Sequence, residues 1–244
     1  MDSYSFCISV TKQIIFGLLV VDRRLRRNIL KIISINTASP TRVSLDEGPN
    51  KVRSGIFKEP VSKPVFLGYL GFEGDGVGDT RIHGGEDMAV CVYCADHFPY
   101  WVDKLQRTIL PGSFGENLSV SGMSEETINI GDIFEMGSAE VEVSQPRQPC
   151  HKLNKVFKDQ SMACSVKKTG FSGYYLRVLK SGLVKPGTLI KRIHEGSYSV
   201  EKANALLRKG GTNIQYMQEL ISLPALSDGW REMLQKRLDK HKAD

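Results

Sequence analysis

The alternation of apolar and polar positions divides the chain into stretches of different period. From Ile29 to Ile193 the period is mostly two. ILKIISIN (29–36) alternates and is β-branched, and PVFLGYLG (64–71) repeats the pattern. MAVCVYC (88–94) is continuously apolar, as a strand covered on both faces should be. TINIGDIFEMGSAEVEVSQ (127–145) alternates twice around Met136–Ser138, which predicts an antiparallel hairpin. GYYLRVLKSGLVKPGTLIKRI (173–193) returns to strands, with turns at Ser181-Gly182 and Pro186-Gly187. Residues 37–63, rich in Pro, Gly, Ser and charge, read as loop with one short strand at SGIFKE. Asp96 is placed to cap a short helix carrying His97, Phe98, Tyr100, Trp101 and Leu105, and residues 155–168 read as a further helix.

After Ile193 the period changes to three to four. Ser199, Thr212 and Ser227 stand as N-caps before VEKANALLRK, NIQYMQELIS and DGWREMLQKRLDK, the last with Trp230, Met233, Leu234 and Leu238 on one face. The expectation is a mainly-β domain over 29–195 and a small three-helix domain over 196–244. Residues 1–28 read as an extension of doubtful role. Its apolar run, Ile14–Val21, is shorter than the roughly 20 residues a bilayer span needs, and the basic cluster DRRLRR follows the run where a signal peptide would be basic before it. No stable membrane insertion is expected.

Composition narrows the classes. The formal charge is +6, and residues 1–28 already hold five basic side chains against two acidic ones. The rest is too mildly basic to argue for nucleic acid, and the basic residues of REMLQKRLDKHK read as a solvated helix face. Five cysteines make an odd count without a disulfide framework, which suits a reducing, cytoplasmic setting. G-x-x-x-x-G-K-[ST], a post-strand G-x-G-x-x-G and H-E-x-x-H are all absent.

The stretch SQPRQPCHKLN (144–154) carries the sharpest chemical signal. Pro146 and Pro149 fix the backbone on either side of Arg147 and remove two donors, so Cys150 is held rigidly at a strand end. Arg147 would favour a thiolate, the form that binds metal or attacks. On local sequence alone a buried packing cysteine is an equal reading. In TRIHGGED (80–87), Arg81 and His83 can bind an anion while Gly84 and Gly85 let backbone N–H groups approach it. Taken singly, a structural turn with a hydrogen-bonded histidine explains that motif better. Asn117, in FGEN, could contact a ligand or stabilise its own turn. Cys91 and Cys94 form a C-x-x-C without the further ligands zinc needs, and on a strand the two thiols point to opposite faces. Cys164 reads as a packing residue of a helix.

Together GFEGDGVGDTRIHGGEDMAVCVY, LPGSFGENLSVSG, INIGDIFEMGSAEVEVSQPRQPC and GYYLRVL resemble, in order and spacing, the MOSC domain, named for the C-terminal domain of molybdenum cofactor sulfurases. The likeness is greatest to stand-alone bacterial YiiM-type members, which end in a three-helix domain. The resemblance covers nearly all the chain after residue 28. It implies a β-barrel with flanking helices and a bound molybdenum cofactor (molybdopterin), with Cys150 as the metal's protein sulfur ligand. A soft thiolate suits that metal. It further implies that Arg81, His83 and Arg147 hold the cofactor's phosphate and pterin, that Gly84 and Gly85 allow close backbone approach, and that Asn117 and Gln145 offer polar contacts. Cys150, Arg147 and His83 are then the catalytic group. The family is also associated with pyridoxal phosphate binding.

The implied activity is reduction of N-hydroxylated compounds such as 6-hydroxylaminopurine, a detoxification. A cofactor or sulfur carrier without turnover is the alternative. Electrons would come from an external donor, a flavin reductase or small redox protein, because the chain has no flavin motif or iron–sulfur cysteine set. The resemblance also implies a homodimer.

Overall fold

The computed structural model describes residues 29–44, 51–78, 84–208 and 213–243; the extension before Ile29, and with it the reading of residues 1–28, lies outside them. In chain order the strands are β1 (Lys31–Thr37), β2 (Thr41–Ser44), β3 (Lys51–Ser54), β4 (Glu59–Val61), β5 (Val65–Gly68), β6 (Gly71–Phe72), β7 (Val90–Cys94), β8 (Leu118–Ser121), β9 (Asn129–Ile130), β10 (Ile133–Met136), β11 (Ala139–Pro146), β12 (Tyr174–Lys180), β13 (Gly182–Val184), β14 (Ile190–His194) and β15 (Tyr198–Ser199). The helices are α1 (Phe98–Leu105), α2 (Lys152–Phe157), α3 (Met162–Thr169), α4 (Val200–Arg208), α5 (Ile214–Ile221) and α6 (Asp228–Ala243).

Eight strands form one sheet in the order β14-β10-β11-β12-β7-β8-β1-β4. Its pairs are antiparallel except β7–β8, whose parallel register follows from the crossover through α1. The sheet curls until β1 meets the approach to β14. Ile32 N–H donates to Thr188 O at 2.9 Å, Gly187 N–H to Ile32 O at 2.9 Å and Ile190 N–H to Leu30 O at 2.8 Å. Those bonds satisfy an edge that would otherwise be open. Alternate residues of these strands, among them Ile32, Ile35, Val90, Val92, Leu118, Phe134, Val141, Val143, Tyr174 and Leu176, fill the inside of the curl.

Two smaller cores sit outside it. Tyr93 and Phe114 stack with ring centroids 4.0 Å apart and join Trp101, Leu153, Phe157, Met162 and Val166, which clamps α1, α2 and α3 to the outer face of β7. The second core packs α4, α5 and α6 through Ala203, Leu206, Met217, Leu220, Trp230, Leu234 and Leu238 against Ile130 of β9. β9 in turn pairs with β15, just before α4.

Several expectations change. Residues 37–63 hold a β2–β3 hairpin and β4, which pairs with β1, rather than one strand at SGIFKE. The 64–71 strand is broken at Tyr69-Leu70, where the chain turns from β5 into β6. The 155–168 helix is two helices, because Lys158 adopts left-handed φ 49° and closes α2. Asp96 does not cap α1; its carboxylate accepts from Gly122 N–H at 2.9 Å, and His97 is the N-cap. Ser199 Oγ accepts from Lys202 N–H and Ser227 Oγ from Trp230 N–H, as N-caps do. Thr212 lies outside the described residues, and Asn213 caps α5 by accepting from Tyr216 N–H at 3.0 Å. Cys164 is exposed on α3 rather than packed, because Met162, Ser165 and Val166 turn inward. No helix among the described residues is long and apolar enough to cross a membrane.

Candidate cofactor-binding site

Register determines what faces outward from the sheet. Tyr175 pairs with Cys91 on one side and Gln145 on the other, so these three share the face opposite the apolar filling. Over that face lies a cavity of about 350 Å³, walled by Ser54–Ile56, Lys58, Leu70–Phe72, Asp75–Gly78, Gly84, Gly85, Cys91, Asn117, Arg147, Gln148, Cys150, Lys152 and Tyr175. The volume is in the range of small-molecule sites.

Cys150 stands in the five-residue link between β11 and α2, half-buried and lining the cavity; its carbonyl accepts from Leu153 N–H at 3.0 Å and its Sγ lies 3.7 Å from His151 Nδ1. The link is anchored at its start, where Arg147 N–H donates to Gly173 O at 3.0 Å. Arg147 itself is buried, and one guanidinium N–H donates to Phe114 O at 2.6 Å. Among the described residues no carboxylate reaches ion-pair distance of it. Phe114 N–H donates to the buried carboxylate of Glu116, which also accepts from Gly112 N–H and Ser119 Oγ. Burial pushes Glu116 above the ordinary carboxylate range.

The opposite wall is tied down by charge. Lys58 and Asp75 form a buried ion pair; Asp75 also accepts from Ala38 N–H at 2.8 Å and from Asn117 Nδ2 at 2.7 Å. Asn117 Nδ2 donates to Asn36 O as well, and its Oδ1 accepts from Cys91 N–H at 3.0 Å. Asn117 therefore lines the cavity, but its side-chain donors and acceptor already serve the protein, so it positions the wall rather than offering a free contact. Gly84 and Gly85 both adopt left-handed φ, 96° and 85°. A Cβ on Gly85 would meet no atom of the described residues within 4 Å, and its bare backbone lines the cavity.

The structure brings Cys150, Arg147, Gly84, Gly85 and Asn117 to one cavity. Gln145 shares the face, buried beside Tyr175 after a bulge between Val143 and Gln145, and is not among the residues that line the cavity. Arg81 and His83 fall outside the described residues. Cys91, Tyr175, Lys58, Asp75 and Lys152 belong to the wall and were not anticipated. Cross-strand alternation could have found the first two. Lys58 and Asp75 meet through tertiary packing alone. Burial raises the Cys91 thiol and Tyr175 phenol, so both hold their protons through the neutral range. Cys94 is buried beside Asp96 and Glu125, away from this cavity. No group of three or more His, Cys, Asp or Glu suited to a metal ion forms among the described residues.

Residues 79–191 match the MOSC domain, and residues 199–241 match the YiiM-like, 3-alpha helix domain. The uncharacterized protein YflK of Bacillus subtilis is 41% identical over 86% of this chain and 95% of its own length. The chain belongs to the MOSC family. The crystal structure of YiiM from Geobacillus stearothermophilus superposes with a TM-score of 0.74 at 36% identity, covering 86% of this chain and 99% of that one. A protein of Gibberella moniliformis named Reductase is 33% identical over 77% of this chain, which spans 34% of that protein. The mainly-β, barrel-like fold with a C-terminal helical part is thus the fold of YiiM-type MOSC proteins. The family is associated with the molybdenum cofactor, and the donor set fits such a group: a half-buried soft thiol, a buried arginine lining the same cavity, and a glycine pair open to it.

Proposed function

We propose that the chain is a molybdenum cofactor-dependent reductase of N-hydroxylated compounds, with 6-hydroxylaminopurine-type bases as the substrate class. Electrons come from an external flavin reductase or small redox protein. The observation that carries the reading is that one cavity is lined by the half-buried thiol of Cys150, the buried Arg147 and the bare backbone of Gly84 and Gly85. Membership of the MOSC family and the fungal relative's name, Reductase, support the reaction class.

When bound, the cofactor supplies two-electron redox chemistry at its metal, and the protein supplies its setting. Cys150 gives the sulfur ligand. Arg147 offers a charge-assisted fork to the cofactor's phosphate or pterin, and Arg81 and His83 are assigned the same task. Gly84 and Gly85 admit the group closely because no side chain intervenes. The Lys58–Asp75–Asn117 network keeps the facing loop in place, so the cavity is shaped before the substrate arrives. Tyr175 remains a protonated hydroxyl in the wall, able to donate to a substrate nitrogen or oxygen.

The test is metal and pterin analysis of wild type and Cys150→Ala from a cofactor-competent host, with 6-hydroxylaminopurine reduction assayed using an artificial donor. Near-stoichiometric molybdenum and turnover in the wild type, with turnover lost in the variant, is expected. Retained cofactor without turnover in the wild type would instead make the chain a carrier. An absence of molybdenum from both proteins would overturn the reading.

A further inference from the structure

A second cavity, of about 320 Å³, lies on the other side of the Cys150 link, where the barrel meets the C-terminal helices. Its walls are Gln148 and Pro149 of the link, Lys167 of α3, Gly170 and Ser172 of the turn after it, Asn204 and Leu207 of α4, and Arg237 of α6. Gln148 also lines the first cavity, so the two are separated by a single extended segment.

The second cavity is cationic. Among the described residues neither Lys167 nor Arg237 has a carboxylate within ion-pair distance. Its floor is polar and ordered: Asn204 and Ser172 are both buried, and Asn204 Nδ2 donates to Ser172 Oγ at 2.8 Å. That bond uses one amide N–H and leaves the other without a partner among the described residues. Two cations facing a concave site with low-dielectric walls concentrate positive potential there. A guanidinium fork and an ammonium together suit a phosphate or carboxylate. The volume is at the small end for ligand sites, which favours a compact metabolite.

We propose that this second cavity binds a small organic anion bearing a phosphate or carboxylate, held between Lys167 and Arg237 over the Asn204–Ser172 floor, with Gln148 and Pro149 as its far wall. An occupant braces the link from behind and lowers the accessibility of the Cys150 thiol. The inference concerns the protein without any bound cofactor and is independent of the reductase reading.

The test uses full-length apo protein in anion-poor buffer, with inorganic phosphate and citrate as separate probes. A probe at ten times its Kd should raise the melting temperature by about 3–6 °C. Alkylation of Cys150 by iodoacetamide, followed by peptide mass spectrometry, should slow severalfold. In the Lys167→Gln/Arg237→Gln double variant both effects should shrink sharply, although the first cavity and Arg147 are intact. The charge-retaining Lys167→Arg/Arg237→Lys variant should keep them. A response to citrate but not phosphate would identify the carboxylate source, and the reverse the phosphate source; either supports the site. A full wild-type response in the double Gln variant, or no shift with either probe, would overturn it. A melting shift with unchanged alkylation would overturn the brace on Cys150.

Discussion

At the scale of single residues, the unusual group beside the first cavity is Glu116. Its carboxylate is fully buried and accepts from Gly112 N–H, Phe114 N–H and Ser119 Oγ, at 2.7, 3.0 and 2.7 Å. Phe114 passes the connection on, because its carbonyl accepts from Arg147. Glu116→Gln keeps the size but replaces one acceptor oxygen with a donor that must face either Phe114 N–H or the Gly112/Ser119 pair. A buried donor facing a donor costs about 1–3 kcal/mol, and urea unfolding at pH 7 should show a loss of that size. The pH dependence has a definite sign. Burial raises Glu116 in the folded protein above its unfolded value, so folding binds its proton more tightly. Its contribution to stability is fully present below the ordinary carboxylate value and declines as pH rises through the raised value. The Gln variant lacks that decline, so the gap between wild type and variant should narrow as pH increases from 4 toward 8. A gap that widens would contradict the assignment.

At the scale of elements, the tight turn Gly137-Ser138 locks the β10–β11 hairpin onto β13: Ser138 N–H donates to Leu183 O and Leu183 N–H to Ser138 Oγ. Gly137 has φ 65°, and a Cβ there would lie 2.3 Å from Leu183 O. Gly85 also has positive φ, 85°, but with ψ 170°, a combination essentially confined to glycine, and among the described residues nothing lies within 4 Å of a Cβ there. Gly85→Ala should therefore cost only backbone strain, about 1–3 kcal/mol, while Gly137→Ala adds to such strain a steric clash with β13 and should cost clearly more. Paired denaturant midpoints decide it; equal losses would mean that the turn yields freely. This hairpin was legible in the sequence because GDIFEMGSAEVEV alternates on both sides of a Gly-Ser pair. The strands that register from a distance were not. β2 and β3 are four residues each in a polar stretch, and β4 exists because it pairs with β1. The site divides in the same way. Cys150 and Arg147 stand out in a proline-bounded run, and Gly84-Gly85 in a glycine-rich loop. Lys58, Asp75 and Tyr175 enter the cavity only through tertiary register, which one sequence does not reveal.

At the scale of the molecule, the barrel and the C-terminal helices are joined by more than a linker. β15 pairs with β9, Ser227 N–H donates to Ser144 O at 3.0 Å, Val200 N–H to Ile128 O at 2.9 Å, and Gly196 N–H to the buried Asp132 carboxylate at 2.8 Å. Ile130 leaves the barrel strands to enter the helical core beside Trp230 and Leu234. The β11 strand that leads into the Cys150 link is thus held from the helical side through Ser144, and α6 supplies Arg237 to the second cavity. Trp230, 3% exposed, is a large contributor to that joint. Trp230→Ala removes it without access to compensating water contacts, and should cost about 3–5 kcal/mol, a substantial part of the 5–15 kcal/mol typical of a folded protein. Because backbone bonds and apolar contacts both cross the joint, the wild type should unfold in one transition, with tryptophan fluorescence and far-UV circular dichroism coincident. In Trp230→Ala the helices should release first and the two probes should separate. A wild type that already unfolds in two steps would mean that the helices are an independent unit, and would remove the mechanical link between α6 and the segment carrying Cys150.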